Sequence, residues 1–202
     1  NGGLAVIKDG VVRWTVGAKE GIINTVFLTL CTMEDGSVLA GSDGDGLYMI
    51  KGKDVYRVGR DDGLTSDVIM RVKRDEARGV YWIVTSNSIE YFKDGKVRAV
   101  STFPYNNNYD LYFDRTGNAW ILSSYGIYVV KADDMIKDKI TEYRLYTVEN
   151  GLPYAITSNS FGTLDEDGQL FIPGRSGVIK VNINKYYETN EEIRTAIKYI
   201  SC

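Results

Sequence analysis

Histidine is absent from the 202 residues of this chain. That removes the commonest general base and the commonest zinc ligand together. Cysteine is nearly absent: Cys31 sits in an apolar run and Cys202 is the last residue. Two cysteines so unlike in context read as a buried thiol and a terminal thiol, with no disulfide framework implied. No apolar stretch approaches the roughly 20 residues that span a bilayer. The N-terminus also lacks the basic, apolar and small-residue zones of a signal peptide. The chain opens on Asn1, partway through a repeat, so upstream sequence is expected to have been removed. Excess charge is missing too: 24 Lys and Arg against 27 Asp and Glu leave −3 at pH 7. That balance gives no electrostatic reason to expect nucleic acid or an anionic membrane as partner.

What the chain does hold is a repeat. A glycine is followed three residues on by a large apolar residue at Gly36 and Leu39, Gly79 and Trp82, Gly117 and Trp120, and Gly168 and Phe171. Beyond each comes a small residue leading an apolar run: Gly46-Leu47, Ser88-Ile89, Gly126-Ile127 and Gly177-Val178, with Gly3-Leu4 as a further copy that opens mid-unit. The leading residues, at 3, 46, 88, 126 and 177, are spaced as stacked units of four short strands are. β-Branched and aromatic runs between Gly, Asp and Asn punctuation predict the strands. In the second complete unit they fall at 68–73, 80–85, 89–92 and 96–100. Asp-Gly pairs at 9–10, 35–36, 94–95 and 167–168 predict tight primed hairpins, which need positive φ. Polar lead-ins ending Gly21-Ile22, Gly63-Leu64 and Gly151-Leu152 mark the hand-over between units.

A four-stranded meander cannot bury both of its faces alone and must stack on copies of itself. Antiparallel hairpins favour radial blades over a β-helix, and an immunoglobulin-like sandwich shows no period near 40. The fold class is therefore all-β, a β-propeller of four-stranded antiparallel meanders, with about four complete blades plus a half blade of a larger ring. The expected blades are 1–17 (partial), 18–60, 61–103, 104–148 and 149–190, with 191–202 a strand or linker toward a following domain. Leu39, Trp82, Trp120 and Phe171 are the expected blade anchors, filling the space between neighbouring sheets. Exposed sheet edges of an incomplete ring are expected to pair or associate, which leaves a homodimer open.

Asp61-Asp-Gly-Leu-Thr-Ser-Asp-Val-Ile69, then Gly79-Val-Tyr-Trp-Ile-Val-Thr85, then the hairpin at Lys93-Asp-Gly95, form a recognisable pattern. It resembles the two-component regulator propeller repeat, and Asp114-Arg-Thr-Gly-Asn-Ala-Trp120 with Gly126-Ile127 is similar. The resemblance covers nearly the whole chain. It implies the extracytoplasmic sensor domain of a bacterial membrane receptor, on the periplasmic or extracellular face. An immunoglobulin-like domain named for three tyrosines, a membrane helix and a histidine kinase or diguanylate cyclase output would follow it. The segments 182–187 and 194–201 look like the junction with that sandwich domain. Departures are Leu39 in place of Trp, Asn106-Asn-Asn108 in place of a clean lead-in, and an insertion at 133–139. The family's rings usually need about seven blades.

Asp43-Gly-Asp-Gly46 and Asp165-Glu-Asp-Gly168 resemble the start of a calcium loop but lack its later ligands, so they read as acidic hairpins with no metal and no cofactor. Asp114 to Trp120 is also similar to the Asp-box turn of sialidases with the spacing off by one, and such boxes are structural turns. No pair of carboxylates stands out as a glycosidase would require. The expectation is a non-catalytic segment. Tyrosine, at 15 copies, is the conspicuous excess, and rings beside amide donors suit the faces and hydroxyls of sugars. The plainer alternative is that these rings pack between blades. If a site exists, loops at the blade mouths supply it: Asn24, Asp67, Asn107 and Asn159 in successive lead-ins, with Tyr109, Tyr125 and Arg175 nearby. The expected partner is a small-molecule or oligosaccharide ligand. A protein-interaction scaffold is the alternative, and a propeller glycoside hydrolase or lyase comes after it.

Overall fold

The computed structural model describes residues 2–104, 107–158 and 160–185. Chain-neighbouring strands pair antiparallel throughout, so each sheet is a meander. β1 (Leu4–Lys8) and β2 (Val11–Val16) make a two-stranded sheet. β3 (Phe27–Thr32), β4 (Val38–Ser42), β5 (Leu47–Lys51) and β6 (Asp54–Val58) make the first four-stranded one. β7 (Ile69–Asp75), β8 (Val80–Thr85), β9 (Ile89–Lys93) and β10 (Lys96–Ala99) make the second. β11 (Asn108–Phe113), β12 (Asn118–Ser123), β13 (Ile127–Lys131) and β14 (Arg144–Tyr146) make the third. β15 (Thr163–Leu164), β16 (Gln169–Gly174) and β17 (Gly177–Asn182) give a last sheet of three. The insertion in the third unit is a short helix, α1 (Ala132–Ile136), which buries Ala132 and Met135. These sheets are blades of a β-propeller. Most of the expected junction at 182–187 and 194–201, and Cys202, lie outside the described residues.

Turn chemistry sets the strand boundaries. Asp9-Gly10 and Asp94-Gly95 have positive φ at both residues, the two-residue primed hairpin that matches strand twist. The other two Asp-Gly pairs depart from that expectation: at Asp35-Gly36 and Asp167-Gly168 only the glycine has positive φ. There the loop is longer, and an aspartate side chain organises it by accepting backbone N–H bonds. Asp35 Oδ1 takes Ser37 N–H at 3.0 Å, and Asp165 Oδ1 takes Asp167 and Gln169 N–H at 3.0 and 2.8 Å. At Gly126, φ is +144° and any Cβ would collide with the Tyr146 carbonyl, so the third strand can enter its blade there only through glycine.

The hand-over segments share one device. The chain turns back at Gly17, Gly59 and Thr147, and a side chain three residues on accepts the N–H at the start. Glu20 does this for Gly17 at 2.8 Å, Asp62 for Gly59 at 2.8 Å, and Asn150 for Thr147. Each turn delivers a buried apolar residue, Ile22, Leu64 or Leu152, to the gap between blades.

The core lies between sheets. Val16 packs with Ala40, Tyr48 and Ile50 of the next blade. Leu39 and Leu47 meet Ile69, Ile83 and Phe92. Trp82, Val84 and Ile89 meet Leu111, Ile121 and Tyr128. Trp120, Leu122 and Ile127 meet Leu170, Ile172 and Ile179. The anchor position thus faces the following blade in three units. Phe171 holds the same position in the last sheet, but no following sheet covers it among the described residues. It is half-buried, outside all four clusters, with Lys180 Nζ 5.5 Å from its ring centroid.

The first strand of each complete blade carries a bulge one residue after its start, between Phe27 and Thr29, Ile69 and Arg71, and Asn108 and Asp110. These first strands touch one another, β3 against β7 and β7 against β11, so they are innermost. The bulge re-aims the side chain after it. Thr29, Arg71 and Asp110 therefore hold equivalent places around the ring's inner side.

Candidate functional site

In an antiparallel meander the start of the first strand and the turn between the second and third lie at one end. That rim carries the expected site residues that are described, yet most of them bind their own scaffold. Asn24 Nδ2 donates to the Asp43 carbonyl while its Oδ1 accepts Val26 N–H at 2.9 Å. Asp67 pairs with Arg60 Nε at 2.7 Å, and its carbonyl accepts Gly44 and Gly46 N–H at 3.1 and 2.8 Å. The Asn107 carbonyl takes Ser124 N–H, and Arg175 N–H donates to the Ala155 carbonyl, both at 2.9 Å. The Asn107 and Arg175 side chains are exposed, as is Tyr125. Tyr109 is the bulged residue of β11 and packs on the core between the third and fourth blades. Asn159 lies outside the described residues. Asn24, Asp67, Asn107 and Arg175 stitch lead-ins to turns, and none of the described site residues lines the cavities below. The neighbour of Asn107 is the buried one: Asn108, 1% exposed, takes the place of Phe27 and Ile69, and its amide has no partner among the described residues.

A cavity of about 290 Å³ opens at the same rim, between the second blade and the lead-in of the third. Thr65, Asn87, Ser88 and Ser101 supply polar groups, while Ile89, Ala99, Val100, Phe103 and Pro104 supply an apolar wall. Behind Thr65 and Ser88 lies Glu90, fully buried in β9. Its Oε1 accepts Thr65 N–H at 2.9 Å, Ser88 Oγ–H at 2.8 Å and the Thr65 hydroxyl; its Oε2 has no partner among the described residues. A second cavity, of about 450 Å³, lies between the third and fourth blades, where Trp120 and Tyr146 face Leu152, Pro153 and Val178 to Val181. Trp120 and Tyr146 stack there, with ring centroids 6.0 Å apart and planes inclined by 10°.

A charged cluster occupies the inner side of the ring. Asp110, 1% exposed, has Lys73 Nζ at 3.2 Å from Oδ1 and Arg71 Nε at 3.4 Å from Oδ2, the latter an ion-pair distance without an aligned hydrogen bond. Leu111 N–H and Tyr112 O–H complete the carboxylate, at 2.8 and 2.9 Å. Arg71 also donates to the Met70 and Ser160 carbonyls, at 2.6 and 2.7 Å, and its guanidinium lies 3.6 Å over the Phe161 ring. The second, third and fourth blades are thereby joined by side chains of two strands. Burial, then the Asp110 charge beside it, pushes the Tyr112 hydroxyl well above the ordinary tyrosine range.

The aspartates that precede Trp82 and Trp120, seven and six residues upstream, are also structural. Asp75 Oδ2 and Asp114 Oδ2 accept the indole N–H of Trp82 and Trp120, both at 3.0 Å. Burial raises the Asp114 pKa, but bonds from Trp120, Asn118 and Thr116 outweigh it and hold the carboxyl below its usual range. Among the described residues no three acidic or cysteine side chains gather as a metal site. Asp45 is engaged by Arg57 and Tyr48, and Asp165 caps its own hairpin. Arg71, Asp110 and Glu90 escaped the sequence reading. The available signal was a charged residue inside an otherwise apolar strand.

No protein-family model and no curated protein matches this sequence. Solved structures do. The extracellular domain of the hybrid two-component system BT4673 of B. thetaiotaomicron superposes with a TM-score of 0.63 at 12% identity, over 83% of this chain and 21% of that one. The corresponding domain of BT3049, from the same organism, gives 0.59 at 18% identity, over 77% and 23%. An inactive variant of virginiamycin B lyase from Staphylococcus aureus, with a histidine replaced by alanine, gives 0.54 at 15% identity, over 78% and 56%. The chain thus spans about a fifth of the two receptor domains and just over half of the lyase. At these identities the likeness is one of fold, and the fold is that of propeller blades.

Proposed function

We propose that this chain is part of an extracellular sensor propeller of a bacterial signalling receptor, and that it binds a small saccharide-type ligand without transforming it. The cavity at the lead-in rim carries the reading: hydroxyls and an amide on one side, with Phe103 and Pro104 on the other, suit a sugar's polar edge and apolar face. Its fold likeness to two receptor extracellular domains supports the receptor setting. Against catalysis stands the lack of histidine, the residue whose loss leaves the superposed lyase inactive. The ligand would act by favouring one arrangement of the propeller and its following domain over another.

Thermal-shift screening against an oligosaccharide library tests the reading. A ligand present at 100 times its Kd adds about 2.7 kcal/mol of stability. A folded sample whose melting temperature stays flat across the library would overturn it. A partner-binding scaffold is the second reading, favoured by the exposed Val11, Val12 and Trp14 on the edge sheet.

A further inference from the structure

We propose that the cavity in front of Glu90 is a site for a small protonated amine, with an amino sugar as the carbohydrate form of that ligand. The inference rests on the saccharide reading above and narrows it to one chemical class.

Four acidic side chains are buried among the described residues: Asp75, Glu90, Asp110 and Asp114. Three of them are satisfied on both oxygens. Asp75 takes Arg78 N–H on Oδ1, and Arg78 Nη1 and Trp82 Nε1 on Oδ2. Asp110 holds two cations, a hydroxyl and a backbone N–H. Asp114 holds Thr116 and Asn118 on Oδ1, with Asn118 and Trp120 on Oδ2. Glu90 departs from this pattern. All of its donors converge on Oε1, Oε2 has none, and no Lys or Arg of the described residues pairs with it.

A closed carboxylate with one empty oxygen and no counter-charge is the arrangement that gains most from an arriving cation. The wall in front of it is wired to receive one. Thr65 and Ser88 hydroxyls lie 2.6 Å apart and both bond Glu90 Oε1, so their protons are engaged within the triad; Ser88 Oγ also meets Thr85 Oγ1 at 2.8 Å, which leaves the Thr65 hydroxyl as the main acceptor toward the cavity. An ammonium group brings three donors and the missing positive charge. A carboxylate or phosphate brings neither and is repelled by Glu90. Val100, Phe103 and Pro104 offer an apolar wall to the body that carries the amine, and about 290 Å³ accommodates a body of single-ring size.

Isothermal titration of the full chain with glucosamine, N-acetylglucosamine, glucose and cyclohexylamine tests this. Glucosamine is expected to bind about tenfold tighter than glucose or the N-acetylated sugar, whose nitrogen carries no charge. Glu90→Gln is expected to erase that preference, and Ser88→Ala, at a half-buried position, to weaken glucosamine by about tenfold. The serine variant carries the test where the glutamine variant loses stability. Sugar binding that ignores the amine and both substitutions overturns the amine site and leaves the saccharide reading standing. Cyclohexylamine binding that Glu90→Gln abolishes, with no sugar bound, supports the amine site and overturns the saccharide reading. No binding of either amine overturns the site.

Discussion

Asp110 and Glu90 are both shut away from solvent, at 1% and 0% exposure, and their surroundings have little else in common. The groups around Asp110 come from more than one blade: Arg71 and Lys73 reach over from β7, and Arg71 continues to Ser160 ahead of β15. Glu90 is held within one blade, by Thr65 of its lead-in and Ser88 of its turn. A charge bonded on all sides and shared between blades fixes how the blades sit. A charge bonded on one oxygen inside a single blade fixes nothing beyond it and leaves its second oxygen without a partner among the described residues, behind the Thr65 and Ser88 wall of a cavity. Saturation and reach thus separate a buried charge that holds the fold from one that waits for a ligand.

The sharpest way to break this contrast is Asp110→Ala. Removing the carboxylate strands Arg71 and Lys73 without their counter-charge, Arg71 in a closed site, and should cost about 3–5 kcal/mol of unfolding free energy in urea titrations. A loss below about 1 kcal/mol would mean that the inner cluster is not what joins the blades. Replacing the pair together, Arg71→Met with Asp110→Leu, should recover much of the loss, because apolar groups of similar volume need no partner.

Tyr112 offers a smaller test of the same cluster. Its raised pKa means that the folded state keeps the phenol proton where the unfolded chain releases it. That stability is fully present below the unfolded tyrosine pKa of about 10 and is lost as pH climbs beyond it toward the folded value. Tyr112→Phe should cost about 1 kcal/mol near neutral pH, through the hydrogen bond to Asp110. It should also flatten the alkaline fall in stability, followed by circular dichroism from pH 8 to 11. Some slope should persist, because burial raises the Tyr48 and Tyr128 hydroxyls as well. An unchanged alkaline profile would remove Tyr112 from the cluster's electrostatics.

The propeller was legible because its signals are local and repeat. A hairpin needs its glycine wherever it occurs, and an anchor three residues on must face the same gap in every unit, so Leu39, Trp82 and Trp120 declare themselves. The site was less legible because its residues belong to no repeated pattern. Asn24 and Asp67 look like ligand donors in sequence, but loops that cross between blades need their own backbone groups satisfied, and these residues do that. Glu90 lies between Ile89 and Tyr91 in a strand that alternation reads as core, and only the neighbouring Thr65 and Ser88, 25 and 2 residues away, reveal why a carboxylate is tolerated there. The bulges that turn Arg71 and Asp110 toward each other depend on pairing partners on β8 and β12, which a single strand's sequence does not display.

Glu90→Gln carries the smallest expected effect and separates the two carboxylates most cleanly. A glutamine oxygen can keep the bonds that Oε1 accepts from Thr65 and Ser88, while the substitution deletes a closed charge that has no counter-ion among the described residues. The lost charge assistance to those bonds opposes the relief from burying a charge, so stability should stay within about 1 kcal/mol of the parent, on either side. Set against the several kcal/mol expected at Asp110, that near-neutrality is what a carboxylate kept for binding should show. A loss at Glu90 as large as that at Asp110 would mean that its second oxygen is engaged in the folded protein. The cavity in front of it would then be a packing defect of the rim with no ligand to recognise.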